Sequence, residues 1–175
     1  MDVIATLNIF LGLSSPLVWL VKNEIAFRLI GAALPLAWAG LNYAQGLMDS
    51  ALILAVISAR ALVGLLLMNK GMTIKGIFAV VFVGFFTVML FKGYKDVYSL
   101  LPWFAACLTT LAQLYLTGVR LRMTQCIGAD GAWIVYDVVN KVWWHLFEKS
   151  VGVVLNLWTV HGMLKTSRLA VQKAA

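Results

Sequence analysis

The chain has 175 residues, of which 62% are hydrophobic and only 12% are charged. Because soluble domains typically carry about 25% charged residues, this composition excludes a water-soluble enzyme and predicts an integral membrane protein. The formal net charge of +7 does not indicate a nucleic-acid partner, since the basic residues lie between apolar runs, as is usual in membrane proteins.

Seven apolar segments are long enough to cross a bilayer, for which a helix needs roughly 20 predominantly apolar residues. In chain order, the predicted spans are residues 3–21, 24–45, 50–68, 73–91, 97–118, 123–144 and 146–164. The breaks between them are short and polar, so none leaves room for a separate soluble domain. The sequence therefore predicts an all-α polytopic protein with a single transmembrane domain over residues 1–175.

The basic residues predict how this domain is oriented. With seven spans, the two ends of the chain face opposite sides of the membrane. Nine Lys and Arg residues fall on the side of the C-terminus and four on the other side. An excess of basic residues marks the cytoplasmic face, so we expect the N-terminus outside and the C-terminus in the cytoplasm.

The second and sixth spans share a pattern at a constant offset of 95 residues: Trp38, Asn42 and Gln45 in one, Trp133, Asp137 and Asn140 in the other. Residues three and four apart share a helix face, so each helix presents a Trp and two polar groups along one stripe. The pattern predicts two three-helix repeats (1–70 and 97–167), a linker helix within 71–96 and a cytoplasmic tail at 168–175. A single linking span gives both repeats the same orientation, as in parallel-repeat transporters. The alternative is a chance match in a chain with seven Trp.

Polar residues inside the spans are candidates for a substrate pocket, because an ionisable group within a bilayer costs about 2.5–3.5 kcal/mol on insertion scales. We expect the two Trp residues to form the walls, the Asn residues to hydrogen-bond a ligand and Arg60 to bind an anion. The predicted pocket residues are Trp38, Asn42, Ser58, Arg60, Trp133, Asp137 and Asn156. The alternative is that Arg60 and Asp137 form an ion pair that only locks the bundle.

Two further features have competing interpretations. Asp130 lies between Gly128 and Gly131, which is typical either of a loosened helix at a binding site or of a close helix crossing. His145 follows Trp143 and Trp144, and this cluster predicts an aromatic belt at the outer interface with no functional role.

The sequence contains no catalytic motif of the serine hydrolase, zinc protease or phosphate-binding kinds. Its two cysteines, Cys107 and Cys126, lie in apolar surroundings without other metal-ligating residues nearby. We therefore expect neither an enzyme nor a metal site, and we predict no cofactor.

Several short motifs resemble the bacterial inner-membrane YgjV-like family: WIVYD at 133–137, KSVGVVLN at 149–156, LNY at 41–43 and ISAR at 57–60. That family looks like a distant relative of the SWEET and PQ-loop (MtN3-like) transporters. The resemblance implies a multi-pass protein of the bacterial inner membrane with a transporter-like fold. It also implies that Trp38 and Trp133 match the pocket aromatics and that Asn156 matches a pocket Asn. Arg60 departs from that pattern, which puts a neutral sugar in doubt.

The leading functional prediction is facilitated movement of a small polar metabolite by alternating access, with Arg60 favouring an anion. A non-transporting accessory subunit of a larger membrane complex is the alternative. The predicted partners are the lipid bilayer and an unidentified small molecule, without nucleic acid. Self-association and a membrane-complex partner are both left open.

Overall fold

The computed structural model describes the backbone of residues 3–174 and the side chains of residues 3–167 other than 5 and 49. Within these residues the chain forms seven helical segments and no β-strand, so the predicted all-α class and helix number are confirmed. Residue 175 of the predicted tail lies outside the described residues.

The seven segments follow one another with short connections. Helix α1 covers Val3–Ser14 and continues as a 3-10 helix over Ser15–Leu20. Helices α2, α3 and α4 cover Glu24–Ala44, Met48–Leu66 and Met72–Gly93. A 3-10 turn, Val97–Ser99, precedes α5, Leu100–Tyr115. The composite helix α6 comprises an α-helix, Gly118–Met123, a π-helix, Thr124–Asp130, and a second α-helix, Gly131–Asn140. Helix α7 covers Trp143–Ala174.

Three helices of the described chain are long and apolar enough to cross a membrane, judged by length and composition: Glu24–Ala44, Met72–Gly93 and Val97–Tyr115. Shorter apolar helical stretches cover Thr6–Leu20 in α1 and Ser50–Leu66 in α3. These helices support a membrane protein.

Local signals explain most of the helix ends. Pro16 lies in the first turn of the 3-10 helix that ends α1, where a missing backbone N–H costs little. The Asn23 side chain caps α2 by accepting a hydrogen bond from the Ala26 N–H at 3.0 Å. Asp96 and Ser99 form a reciprocal capping box ahead of α5, which satisfies backbone donors at that end.

The turn between α6 and α7 differs from the prediction. Helix α6 begins at Gly118 and ends at Asn140, so the predicted sixth span at 123–144 was placed several residues too late. Lys141 adopts the left-handed conformation, with φ 58°, and the Val142 N–H donates to the Asp137 carbonyl at 2.9 Å. This is a Schellman ending. It reverses the chain at once and brings the start of α7 back beside α6.

Helix packing depends on small residues at several crossings. Helix α2 packs most extensively on α3, α5 packs on α4 and on the π-helical part of α6, and α7 packs on the 3-10 part of α1. A Cβ at Gly152 in α7 would lie 2.8 Å from Trp19 Nε1, and a Cβ at Gly128 in α6 would collide with Leu108 of α5. The close crossing predicted near Asp130 is therefore present.

Candidate functional site

Two adjoining cavities between the helices have charged side chains in their lining. The larger, which we name the tryptophan cavity, has a volume of about 560 Å³ and is lined by Trp38, Trp133 and His145, among others. The smaller, which we name the arginine cavity, has a volume of about 210 Å³ and is lined by charged and amide side chains: Arg28, Arg60, Gln113, Gln125 and Asp130. The cavities share six lining residues, among them Ile57, Trp133 and Lys149, so they lie side by side.

The wall of the tryptophan cavity is fixed by polar and ring contacts. Trp38 Nε1 donates a hydrogen bond to Ser15 Oγ at 3.4 Å. Trp133 packs edge-on against His145, with ring centroids 5.2 Å apart. The two Trp residues that share a position in the sequence pattern thus face the same space.

Arg60 is buried, with 4% of its surface exposed, and lines the arginine cavity. Its Nη1 donates to the Ala106 carbonyl at 3.0 Å and to Thr110 Oγ1 at 3.4 Å, while Nε has no hydrogen-bond partner. Its guanidinium lies 5.6 Å from the centre of the Phe86 ring. No carboxylate of the described residues forms an ion pair with it.

The predicted alternative of an Arg60–Asp137 ion pair is therefore wrong. Asp137 is buried and its Oδ2 lies 2.7 Å from His145 Nδ1. Neither carboxylate oxygen has a partner with hydrogen-bond geometry, so the contact is electrostatic and poorly aligned. The Schellman turn after Asn140 places His145 there, which gives this residue a contact that the interpretation as an aromatic belt missed.

The π-helix decides which side chains of α6 face the arginine cavity. In an α-helix, residues five apart diverge by about 140°, whereas the i→i+5 pairing of a π-helix brings them close to the same face. Gln125 and Asp130 both line the arginine cavity. Asp130 Oδ1 lies 3.6 Å from Lys149 Nζ, and Asp130 Oδ2 has no hydrogen-bond partner. The loosened helix predicted at this position is thus present together with the close crossing.

The remaining predicted pocket residues lie elsewhere. Ser58 is buried and Asn42 half-buried, and neither lines the tryptophan or the arginine cavity. Asn156 is fully buried, and its Nδ2 donates to the Arg122 carbonyl at 3.0 Å. Asn156 therefore links α7 to α6 and does not face these cavities.

A buried arginine at the start of α2 binds the end of α5. Arg28 donates to the carbonyls of Gln113 at 2.6 Å and Leu116 at 2.8 Å. The same guanidinium pairs with Glu24 at 2.8 Å, and the other Glu24 oxygen accepts from the Gly118 N–H at 2.7 Å. These bonds satisfy carbonyls that a helix end leaves without partners.

A second buried arginine, at the start of α6, binds the end of α1. Arg122 donates to the carbonyls of Trp19, at 3.2 Å, and Val21. Its guanidinium also lies 4.2 Å from the centre of the Phe27 ring, a favourable cation–π distance. We refer to the contacts of Arg28 with α5 and of Arg122 with α1 as the two arginine clamps.

Sequence reasoning missed the amide groups of this site. Gln113 lies near the end of the fifth span and Gln125 near the start of the sixth, where polar residues are expected at a membrane surface. The sequence does show that Gln125 and Asp130 are five residues apart. That spacing places both side chains near one helix face only if the helix widens to a π-helix. Within the described residues, no group of three His, Cys, Asp or Glu side chains is suited to hold a metal ion.

No curated protein and no solved structure matches this chain. One family model does match, over residues 21–167. It is described as Imp-YgjV, bacterial inner membrane protein. Because the match spans most of the sequence, the chain belongs to the YgjV family of bacterial inner membrane proteins.

Proposed function

We propose that this protein is a SWEET-like facilitator that moves a small polar metabolite across the inner membrane by alternating access between two three-helix halves. The halves are α1–α3 and α5–α7, joined by α4, with the N-terminus outside and the C-terminus in the cytoplasm. The observation that carries this proposal is the reciprocity of the two arginine clamps.

The clamps are related by nearly the same offset as the Trp pattern. Arg28 and Arg122 are 94 positions apart, as are the carbonyl residues Trp19 and Gln113. The arginine of the first half binds the end of the first helix of the second half, and the converse contact is also made. Such an exchange is what a pseudo-twofold axis between two parallel repeats produces.

The residues that line the two cavities also support the proposed arrangement in two halves. The arginine cavity is bordered by residues of α1, α2, α3, α5, α6 and α7, but not of α4. The tryptophan cavity likewise receives residues from both halves and none from α4. A space at the interface of repeats, with polar groups in an apolar surround, is the usual position of a transporter substrate site.

The clamps lie at one end of this space. The α1–α2 and α5–α6 connections meet there through the bond between Glu24 and the Gly118 N–H. At the other end, the tryptophan cavity is lined by His145 and Glu148 near the start of α7. With the predicted orientation, the clamps lie toward the cytoplasm and the start of α7 lies toward the outside.

Cysteine accessibility tests alternating access without knowledge of the substrate. Ile57 lines both cavities, so Ile57→Cys in a Cys107→Ser, Cys126→Ala background reports on water in the space. A membrane-impermeant thiol reagent is applied to right-side-out and to inverted vesicles. We expect modification from both sides, because each face opens in turn.

Two controls calibrate the labelling. Asn69→Cys lies in the exposed α3–α4 connection and should react only in inverted vesicles if the predicted orientation is right. Val80→Cys, on a side chain that is 74% exposed in apolar α4, faces lipid and should react in neither. Modification of Ile57→Cys from a single side would contradict alternating access and favour a static accessory subunit. Stoichiometric co-purification with other membrane proteins would point the same way.

A further inference from the structure

We infer that the arginine cavity binds a small monocarboxylate that also carries hydroxyl groups. This inference rests on the proposed function, because it names the chemical class of the cargo for the same space. It depends on two independent properties of the lining, its charge balance and its hydrogen-bonding groups without partners.

The charges that line the arginine cavity leave one positive charge uncompensated. Arg28 is paired with Glu24 at 2.8 Å, and Lys149 is paired with Asp130 at 3.6 Å. Arg60 is 96% buried and forms no ion pair among the described residues. A buried charge is costly unless it is compensated, so the cavity favours a ligand with a single negative charge. The free Nε of Arg60 is a ready donor to a carboxylate.

The other polar atoms without partners are acceptors. Gln113 Oε1, Gln125 Oε1 and Asp130 Oδ2 are buried without hydrogen bonds, and all three residues line the arginine cavity. A buried acceptor without a partner costs about as much as a lost hydrogen bond. A carboxylate alone offers these atoms nothing, whereas hydroxyl groups donate. A ligand that carries both satisfies Arg60 and the three acceptors together.

An amino acid fits the charge balance less well. Its carboxylate could pair with Arg60 and its ammonium group could donate to these acceptors, but its net charge of zero leaves the excess positive charge of the cavity in place. The cavity volume of about 210 Å³ is smaller than the roughly 300–1,000 Å³ typical of pockets for drug-sized ligands. The cargo is therefore a compact hydroxy acid.

Calorimetric titration of the purified protein in mild detergent tests this inference on the wild-type chain. The ligands are glycerate, propionate, glycerol and alanine. We expect glycerate to bind most tightly. Propionate should bind about tenfold more weakly, because the buried acceptors stay unpaired. Glycerol, which lacks the charge, and alanine, which has no net charge, should also bind more weakly.

Two variants locate the site. Arg60→Gln should weaken glycerate binding at least about tenfold, the loss expected for one hydrogen bond to a charged group. Arg120→Gln, at an exposed arginine, is the matched control and should leave binding unchanged. Gln125→Leu removes an acceptor without changing charge and should reduce the preference for glycerate over propionate. Each variant is compared by its elution from a sizing column, so that a folding defect is recognised.

The outcomes distinguish a failure of the inferred ligand class from a failure of the proposed transport function. If glycerate binds through Arg60 but proteoliposomes do not take it up, the ligand class stands and the transport function falls. If Ile57→Cys reacts from both sides but glycerate does not bind, the ligand class is overturned and transport survives. Equal binding of glycerate, propionate and alanine would also overturn the inference, because water would then satisfy the acceptors equally well.

Discussion

Loss of one arginine clamp should weaken the packing between the two groups of helices. Arg28→Gln removes the two bonds from the guanidinium to the Gln113 and Leu116 carbonyls, at 2.6 and 2.8 Å. A hydrogen bond that involves a charged group contributes about 1.5–3 kcal/mol, and a neutral one about 1 kcal/mol. If the glutamine amide recovers one neutral bond, the free energy of unfolding should fall by about 2–5 kcal/mol.

The assay is equilibrium unfolding of the purified protein in mixed micelles with increasing SDS, followed by far-UV circular dichroism. The matched control is Arg120→Gln, because Arg120 is exposed and such substitutions usually change stability by less than about 0.5 kcal/mol. Arg122→Gln should behave like Arg28→Gln, since it loses the contacts with Trp19 and Val21.

An unfolding free energy for Arg28→Gln within error of that for Arg120→Gln would refute this reasoning. A large loss for Arg28→Gln but none for Arg122→Gln would show that the two clamps are not equivalent. The proposed pseudo-twofold relation of the two halves would then lose its main support.

Two further predictions concern single contacts. Gly152→Ala should destabilise the protein by about 1–3 kcal/mol, because the new Cβ would lie 2.8 Å from Trp19 Nε1. In the control Gly162→Ala, the new Cβ meets nothing within 4 Å, and the change should be neutral. Equal melting temperatures of the two variants would contradict the close crossing. His145→Ala leaves the buried Asp137 carboxylate without its 2.7 Å contact and should cost at least about 1 kcal/mol. Adding Asp137→Asn should restore part of that stability, and a further loss in the double variant would show that the contact contributes nothing.

The membrane class and the seven helical segments follow from the sequence, because they depend on local properties. Length, hydropathy and polar breaks decide where a helix can lie in lipid, and no distant contact is needed. The first five spans match α1 to α5 within a few residues.

Only the tertiary structure decided which polar groups meet. An Arg60–Asp137 ion pair was one of two interpretations of the sequence, but the left-handed turn at Lys141 brings His145 next to Asp137. The π-helix turns Gln125 toward the same cavity as Asp130. Both features are changes of one residue or less in backbone register, which hydropathy does not record.

The arginine clamps also show what the sequence determines and what the packing of the helices determines. The sequence shows that Arg28 and Arg122 open the second and sixth spans at nearly the repeat offset. It does not show that each reaches carbonyls of a helix about 90 or 100 residues away. Charge and periodicity determine which residues are available on a helix, whereas the choice of partner depends on how the helices cross, because buried polar groups bind whatever acceptors the packing brings within reach.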